Sequence, residues 1–280
     1  LPVTRSVSTF RRWHQKHGLF FDPAKPEENR IYTGVGTPCN LCRMAPSDDR
    51  YGSLMAYDLG SGEGTLLARG IRNAVGMDWN PVTHELWFSD NNRQTTGQDP
   101  VSAVKYPEEI NRLSEARENF GEPYVFGRST IGYTQGEFAG QSDPNAPTGM
   151  LPGVVLSDVP PASVQPSNYT PAEVELAPGA APLGVKFIAS ATYPGTGDAQ
   201  SQNLLIAAHG AGSDDDGSPD VRLANIKDNK VTSIWPFVAG WNQADGILGR
   251  PTEFLVMADG SVLVSDDVAN VIYRLSYDPA

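Results

Sequence analysis

Apolar and polar residues alternate along this chain in short runs, most clearly between Gly70 and Asp90. An apolar run at 75–79 is broken by Asn80-Pro81, resumes at 85–88 and stops at Ser89, Asp90 and Asn91. Short apolar runs bounded by Pro, Asn and Gly predict two antiparallel strands and a turn. The pattern recurs at 19–21 with 31–35, at 185–188 with 204–208, and at 254–257 with 262–266. Each second strand is followed by a third run, at 53–58, 109–113, 221–226 and 271–276. The run at 109–113 also matches helical spacing through Ile110, Leu113 and Ala116, and reads as a strand passing into a short helix or turn. Four recurrences with Gly and Asp turns between them predict an all-β chain with about four blades of a β-propeller, each blade a small antiparallel sheet.

Periodicity fades across 121–182, which is rich in Pro, Gly, Ser and Asp. This reads as a long insertion between blades of a single propeller domain over 1–280, of a length expected where a segment covers a site or meets a partner. The first 16 residues carry no element that resembles the start of a domain.

Composition narrows the possible partners. With 33 acidic against 21 basic side chains the formal charge is -12, which argues against nucleic acid because phosphate binding needs a basic face. No apolar run approaches the ~20 residues of a membrane span, and no leader peptide is visible at Leu1. The 28 glycines and 23 prolines suit short strands and many turns.

The two cysteines, Cys39 and Cys42, cannot complete a four-thiolate zinc site alone. A local disulfide is favoured over a free pair, and redox catalysis is least favoured because no βαβ pattern surrounds them. Asn168-Tyr169-Thr170 is a glycosylation acceptor pattern and fits a secreted, periplasmic or organelle-lumenal setting. Asp214, Asp215 and Asp216 resemble part of a calcium loop but lack its ligand spacing, so a solvated acidic turn is the simpler reading.

Candidate chemistry gathers at the starts of blades. Arg72-Asn73, beside Gly70 and Gly76, precedes one first strand, and Gly249-Arg250-Pro251-Thr252 precedes another. Equivalent positions of the two arginines predict that both lie near a propeller axis. Each also has a plain structural reading, as side chains tying turns to backbone. For Asp266 that reading is a capped strand end.

Residues 31–42, 70–92, 107–124, 181–187, His209-Gly210 and 249–277 together resemble the glucose/sorbosone dehydrogenase family. The resemblance rests most on Gly-Ile-Arg-Asn-Ala-Val-Gly and Asp-Gly-Ser-Val-Leu-Val-Ser-Asp-Asp. It implies a six-bladed propeller that uses pyrroloquinoline quinone (PQQ) and calcium to oxidise an aldose or sugar aldehyde, with about two upstream blades either missing or belonging to sequence outside these 280 residues. By the same resemblance Arg72 and Asn73 contact the cofactor, Arg250 clamps one of its carboxylates with Asp266 nearby, and backbone carbonyls around Asn91 and Asn92 approach calcium. A histidine base is implied before Phe21-Asp22-Pro23: one register gives Trp13 with His14 beside it, another gives Lys16 or His17, and His14 is the candidate carried forward. The family's His-Gly-Ser-Trp-Asn-Arg block stands here as His209-Gly210-Ala211-Gly212-Ser213, without its Trp and Arg. A histidine expected before Ala181 is replaced by Gly179 or Ala180, and Arg93, Gln94 and Thr95 stand where an Asp-rich stretch is expected. The competing expectation is a degenerate propeller serving as a binding or structural subunit, its open blade edges covered by another protein chain.

Overall fold

The computed structural model of the protein describes residue 14 and residues 18–37, 43–44, 51–92, 106–131, 154–155, 165–189, 193, 201–210 and 217–277. Cys39, Cys42, Trp13, His17 and the acidic turn at 214–216 lie outside the described residues. The regular structure is almost entirely β, with two short 3-10 turns at Pro26–Glu28 and Pro166–Asn168. The chain divides into two compact units. The first comprises Leu1–Val75, Asn92–Pro107 and Leu113–Ala172, the second Gly76–Asn91, Glu108–Arg112 and Glu173–Ala280.

In the first unit Arg30–Val35, Ser53–Asp58 and Gly64–Arg69 form an antiparallel sheet, extended by the parallel pair Glu118–Asn119. The strand predicted at 19–21 is reduced to one bridge, from Phe20 to Tyr32. Ile31, Val35, Tyr51, Met55 and Tyr57 form the core on this sheet.

Among the described residues the second unit holds three larger sheets beside the small pair Asn242–Gln243 and Gly246–Ile247. One orders Ala74–Trp79, Leu86–Asp90, Glu108–Leu113 and Val174–Leu176, with Ala74, Val75 and Leu113 at its margins counted in the first unit. The next is Pro182–Ile188, Gln202–Ala208, Asp220–Lys227 and Lys230–Val238, and the last is Pro251–Val256, Val262–Asp266 and Val271–Leu275. The ambiguous run at 109–113 is thus a strand, paired to Val174–Leu176 with Ile110 opposite Val174. Val174–Leu176 falls within the stretch read as an insertion, which also holds the small pair Val125–Phe126 and Thr130–Ile131.

The apolar run at 204–208 is continuous because the strand is buried on both faces. Leu204, Ile206 and Ala208 join one core with Trp87, Ile110 and Phe187. Leu205 and Ala207, pointing the other way, join a second with Val221, Leu223, Phe254, Val262 and Val264. Period-two alternation between two dry faces removes the polar positions that would otherwise show the pattern. Trp87 meets Phe187 edge-on, with ring centroids 6.0 Å apart, an arrangement worth about 0.5–1.5 kcal/mol beyond area burial.

Glycine sets the spacing between sheets. A Cβ on Gly76 would strike Leu183 O and Gly184 Cα, and one on Gly184 would strike Thr252 O and Glu253 Cα. The first strands of the three sheets therefore approach backbone to backbone, with no room for a side chain. Across the same seam Asp78 accepts from Lys186 Nζ at 3.0 Å and from Phe187 N at 2.8 Å, and Ser89 Oγ donates to Leu183 O at 2.7 Å.

Candidate functional site

Two groups of candidate residues are built, one in each unit. In the first unit Arg30–Val35 hands the chain to Gly36 and Thr37, while Gly70, Ile71 and Arg72 lead into Ala74–Trp79. The Thr37 N–H donates to Arg72 O at 2.8 Å, locking the two segments together. Arg72 is 3% exposed, and its Nη1 donates to the carbonyl of Asn92 at 2.9 Å. A Cβ on Gly36 would press on His14 Cβ and lie 3.2 Å from Asn73 Oδ1. Glycine at position 36 therefore lets the histidine and the amide pack on one spot.

His14 adopts a left-handed backbone, φ 50°. Its Nδ1 lies 2.7 Å from Thr37 O and 3.3 Å from Thr37 Oγ1. A carbonyl can only accept, so in this contact Nδ1 carries a proton, which leaves Nε2 as the ring nitrogen that holds the lone pair whenever the imidazole is neutral. Thus four residues predicted from sequence, His14, Arg72, Asn73 and Asn92, converge with Thr37 in one place.

Asn91 and Asn92, whose carbonyls the resemblance aims at calcium, also make protein contacts. The Asn92 carbonyl accepts from the Arg72 guanidinium. Asn92 Nδ2 donates to Pro107 O at 2.7 Å, and in the second unit Asn91 Nδ2 donates to Pro182 O at 2.8 Å. No group of three or more metal-ligating His, Cys, Asp or Glu side chains occurs among the described residues. The guanidinium donors of this group suit an anionic carboxylate.

In the second unit Arg250 is half-buried and Nη1 donates to Gly210 O at 2.9 Å. Asp266 ends the strand Val262–Asp266 and is 4% exposed. Its Oδ1 accepts from Val268 N at 3.0 Å and Ala269 N at 2.7 Å, the strand-end cap that the plain reading describes. Its Oδ2 is buried without a hydrogen-bond partner and lies where a Cβ on Gly249 would collide with it. Asp266 thus sits against the residue before Arg250. Sequence reasoning missed the pair His209 Nε2 and Asp267 Oδ1, 2.9 Å apart; its one signal is that both residues follow the second strand of a sheet.

Asn168 of the glycosylation pattern is exposed in the turn Pro166–Asn168. No helix among the described residues is long and apolar enough to cross a membrane.

No family model matches the sequence. An uncharacterized protein of Borreliella burgdorferi is 28% identical over 270 residues, which cover 94% of this chain and 62% of that protein. The chain therefore spans less than two thirds of that relative's length. Among solved structures, a Trichoderma reesei protein of carbohydrate-active enzymes family AA12 superposes with a TM-score of 0.65 at 19% identity, over 93% of this chain and 68% of its own. A putative oxidoreductase (glucose dehydrogenase) of Thermus thermophilus gives 0.55 at 16% identity over 93% and 62%. The soluble aldose sugar dehydrogenase of Escherichia coli, in its apo-form, gives 0.52 at 16% identity over 92% and 62%.

The fold is of the sugar dehydrogenase propeller type. At these identities the likeness concerns the fold, which agrees with the propeller read from the recurring strands. The sugar dehydrogenase fold gives the two arginine groups a context, and their chemistry is argued from their own geometry.

Proposed function

We propose that this chain binds PQQ and oxidises an aldose or sugar aldehyde, with Arg72 and Asn73 in the first unit and Arg250 in the second as its candidate anion-binding side chains. The observation that carries this reading is that His14, Thr37 and the Arg72-Asn73 pair, from separate stretches of sequence, are joined in the first unit through Thr37, which contacts His14 Nδ1 and donates its N–H to Arg72 O. PQQ, when bound, supplies an acceptor for the two electrons that leave the sugar as hydride. The chain's own residues do the rest. Guanidinium groups neutralise and orient carboxylates, which fixes the ligand's plane better than a lysine would. His14, held by Thr37 so that Nε2 has the lone pair, takes the proton of the sugar hydroxyl as its carbon loses hydride.

The test adds PQQ to the purified chain and follows thermal unfolding, since a ligand bound only by the native state raises the midpoint. The expected result is a saturable rise, followed by dye reduction with an aldose. No rise at saturating PQQ ends the reading. A rise without dye reduction by any aldose favours the second reading, a binding subunit, for which the specific observation is the block after His209 that lacks Trp and Arg.

A further inference from the structure

Three contacts in the second unit close on themselves around Arg250. His209 follows the strand Gln202–Ala208, and Asp267 follows the strand Val262–Asp266, so their 2.9 Å contact ties the ends of two neighbouring sheets. The next residue, Gly210, gives its carbonyl to Arg250 Nη1. Gly249, just before Arg250, rests on the buried Oδ2 of Asp266, just before Asp267. The circuit therefore runs from Asp267 to His209 and Gly210, across to Arg250 and Gly249, and back through Asp266.

Gly210 is itself tightly placed. Its N–H donates to Ala180 O at 2.9 Å and the His209 N–H to Ala181 O at 3.1 Å. Gly210 has φ +75°, and a Cβ there would strike Gly217 O and the ring of Pro219. Its carbonyl direction is thus set by these backbone bonds, and the side chain of the preceding residue, His209, is tied to Asp267. Arg250 makes one hydrogen bond among the described residues, to that carbonyl. A guanidinium with a single anchor keeps most of its donors for a ligand, but its orientation depends on where that anchor points.

We propose that His209 and Asp267 are positioning residues that aim Arg250 by fixing the Gly210 carbonyl. This rests on the reading of Arg250 as a carboxylate clamp. Asp267 is about half exposed, with 54% of its side chain accessible, so water screens the pair and its contribution is to orientation more than to stability. Gln at position 209 can present an amide N–H in place of Nε2, whereas Ala cannot.

The test compares the full chain with His209→Ala, His209→Gln, Asp267→Ala, Arg250→Ala and the double variant His209→Ala/Arg250→Ala. The first readout needs no ligand: the Nε–H resonance of Arg250 in ¹⁵N-labelled protein, assigned by its loss in Arg250→Ala. It is expected to be sharp in the wild type and in His209→Gln, and broadened by exchange in His209→Ala and Asp267→Ala. The second readout is PQQ affinity by fluorescence titration. His209→Ala is expected to weaken it about tenfold, the size of one charge-assisted hydrogen bond. The double variant is expected to bind no worse than Arg250→Ala, because positioning acts only through the group positioned. An unchanged Arg250 resonance in His209→Ala overturns the proposal, as do additive losses in the double variant. A wild type that does not bind PQQ removes the cofactor reading, and the Arg250 resonance then decides the positioning role alone.

Discussion

Arg72 and Arg250 stand at equivalent places in the sequence pattern, each just before the first strand of a sheet, yet the fold treats them differently. Arg72 is 3% exposed and its guanidinium is bonded to the Asn92 carbonyl. Arg250 is half-buried and anchored by one donor. A buried guanidinium must be satisfied by the protein to be tolerated, so Arg72 carries structural duty whatever else it does. An accessible one with a single anchor is free to meet a ligand at small cost to the fold. Equivalent positions in a repeat therefore do not imply equivalent roles.

The comparison can be broken most directly at Arg72. Replacing it with Ala leaves the buried Asn92 carbonyl without that donor and is expected to cost about 1–3 kcal/mol, read as a lower urea midpoint, together with loss of PQQ binding. Wild-type stability in that variant would remove the structural half of the contrast. Gly249→Ala comes next, since the added methyl must displace the Asp266 carboxylate. Overpacking of this kind costs about 1–3 kcal/mol, and urea midpoints lowered by that amount would show the Arg250 corner to be rigid. Arg250→Ala should change stability by no more than about 0.5 kcal/mol while lowering PQQ affinity at least about tenfold. A stability loss matching that of Arg72→Ala would erase the difference between them.

The smallest effect lies in turns outside both groups. The Asp58 carboxylate is held below its usual range by the Ser61 N–H, then the Ser61 hydroxyl and the Gly60 N–H. The Asp259 carboxylate is held down by the Ser261 hydroxyl, then its N–H and Arg274. A depressed folded pKa means that this stability is present above the unfolded value near ~4 and is lost as pH falls through the folded one. Asp58→Asn and Asp259→Asn are expected to flatten slightly the acid side of a pH series of urea midpoints. An acid limb as steep as that of the wild type would show that these turns do not contribute.

The sequence announced its strands where both faces of a sheet are dry. Residues 204–208 are apolar throughout because they lie between two cores, and in 262–266 the buried Val262 and Val264 alternate with half-buried positions. It was silent about the fourth strands. Lys230–Val238 alternates between exposed and half-buried positions and contains Pro236, and Gly64–Arg69 has one fully buried side chain, Ala68. An outer strand buries too little to leave an apolar run. The bridge at Phe20 shows the opposite error, three apolar residues of which Leu19 and Phe21 are exposed. Arg72 and Arg250 were visible as cations beside glycine, but the Asn92 carbonyl as acceptor was not, since a backbone oxygen carries no sequence signal. Nor was the His209 and Asp267 pair, because contact across two sheets depends on the register of each.

The glycines at 76 and 184 work as spacers of zero thickness. Each removes a side chain where one strand's main chain leans on its neighbour's, so the gauge between these sheets is the width of the polypeptide itself. A methyl at Gly184 could not be absorbed locally, because Thr252 and Glu253 would have to shift with it. Remodelling this protein for a bulkier ligand should therefore begin in the loops after the strands, leaving that row untouched.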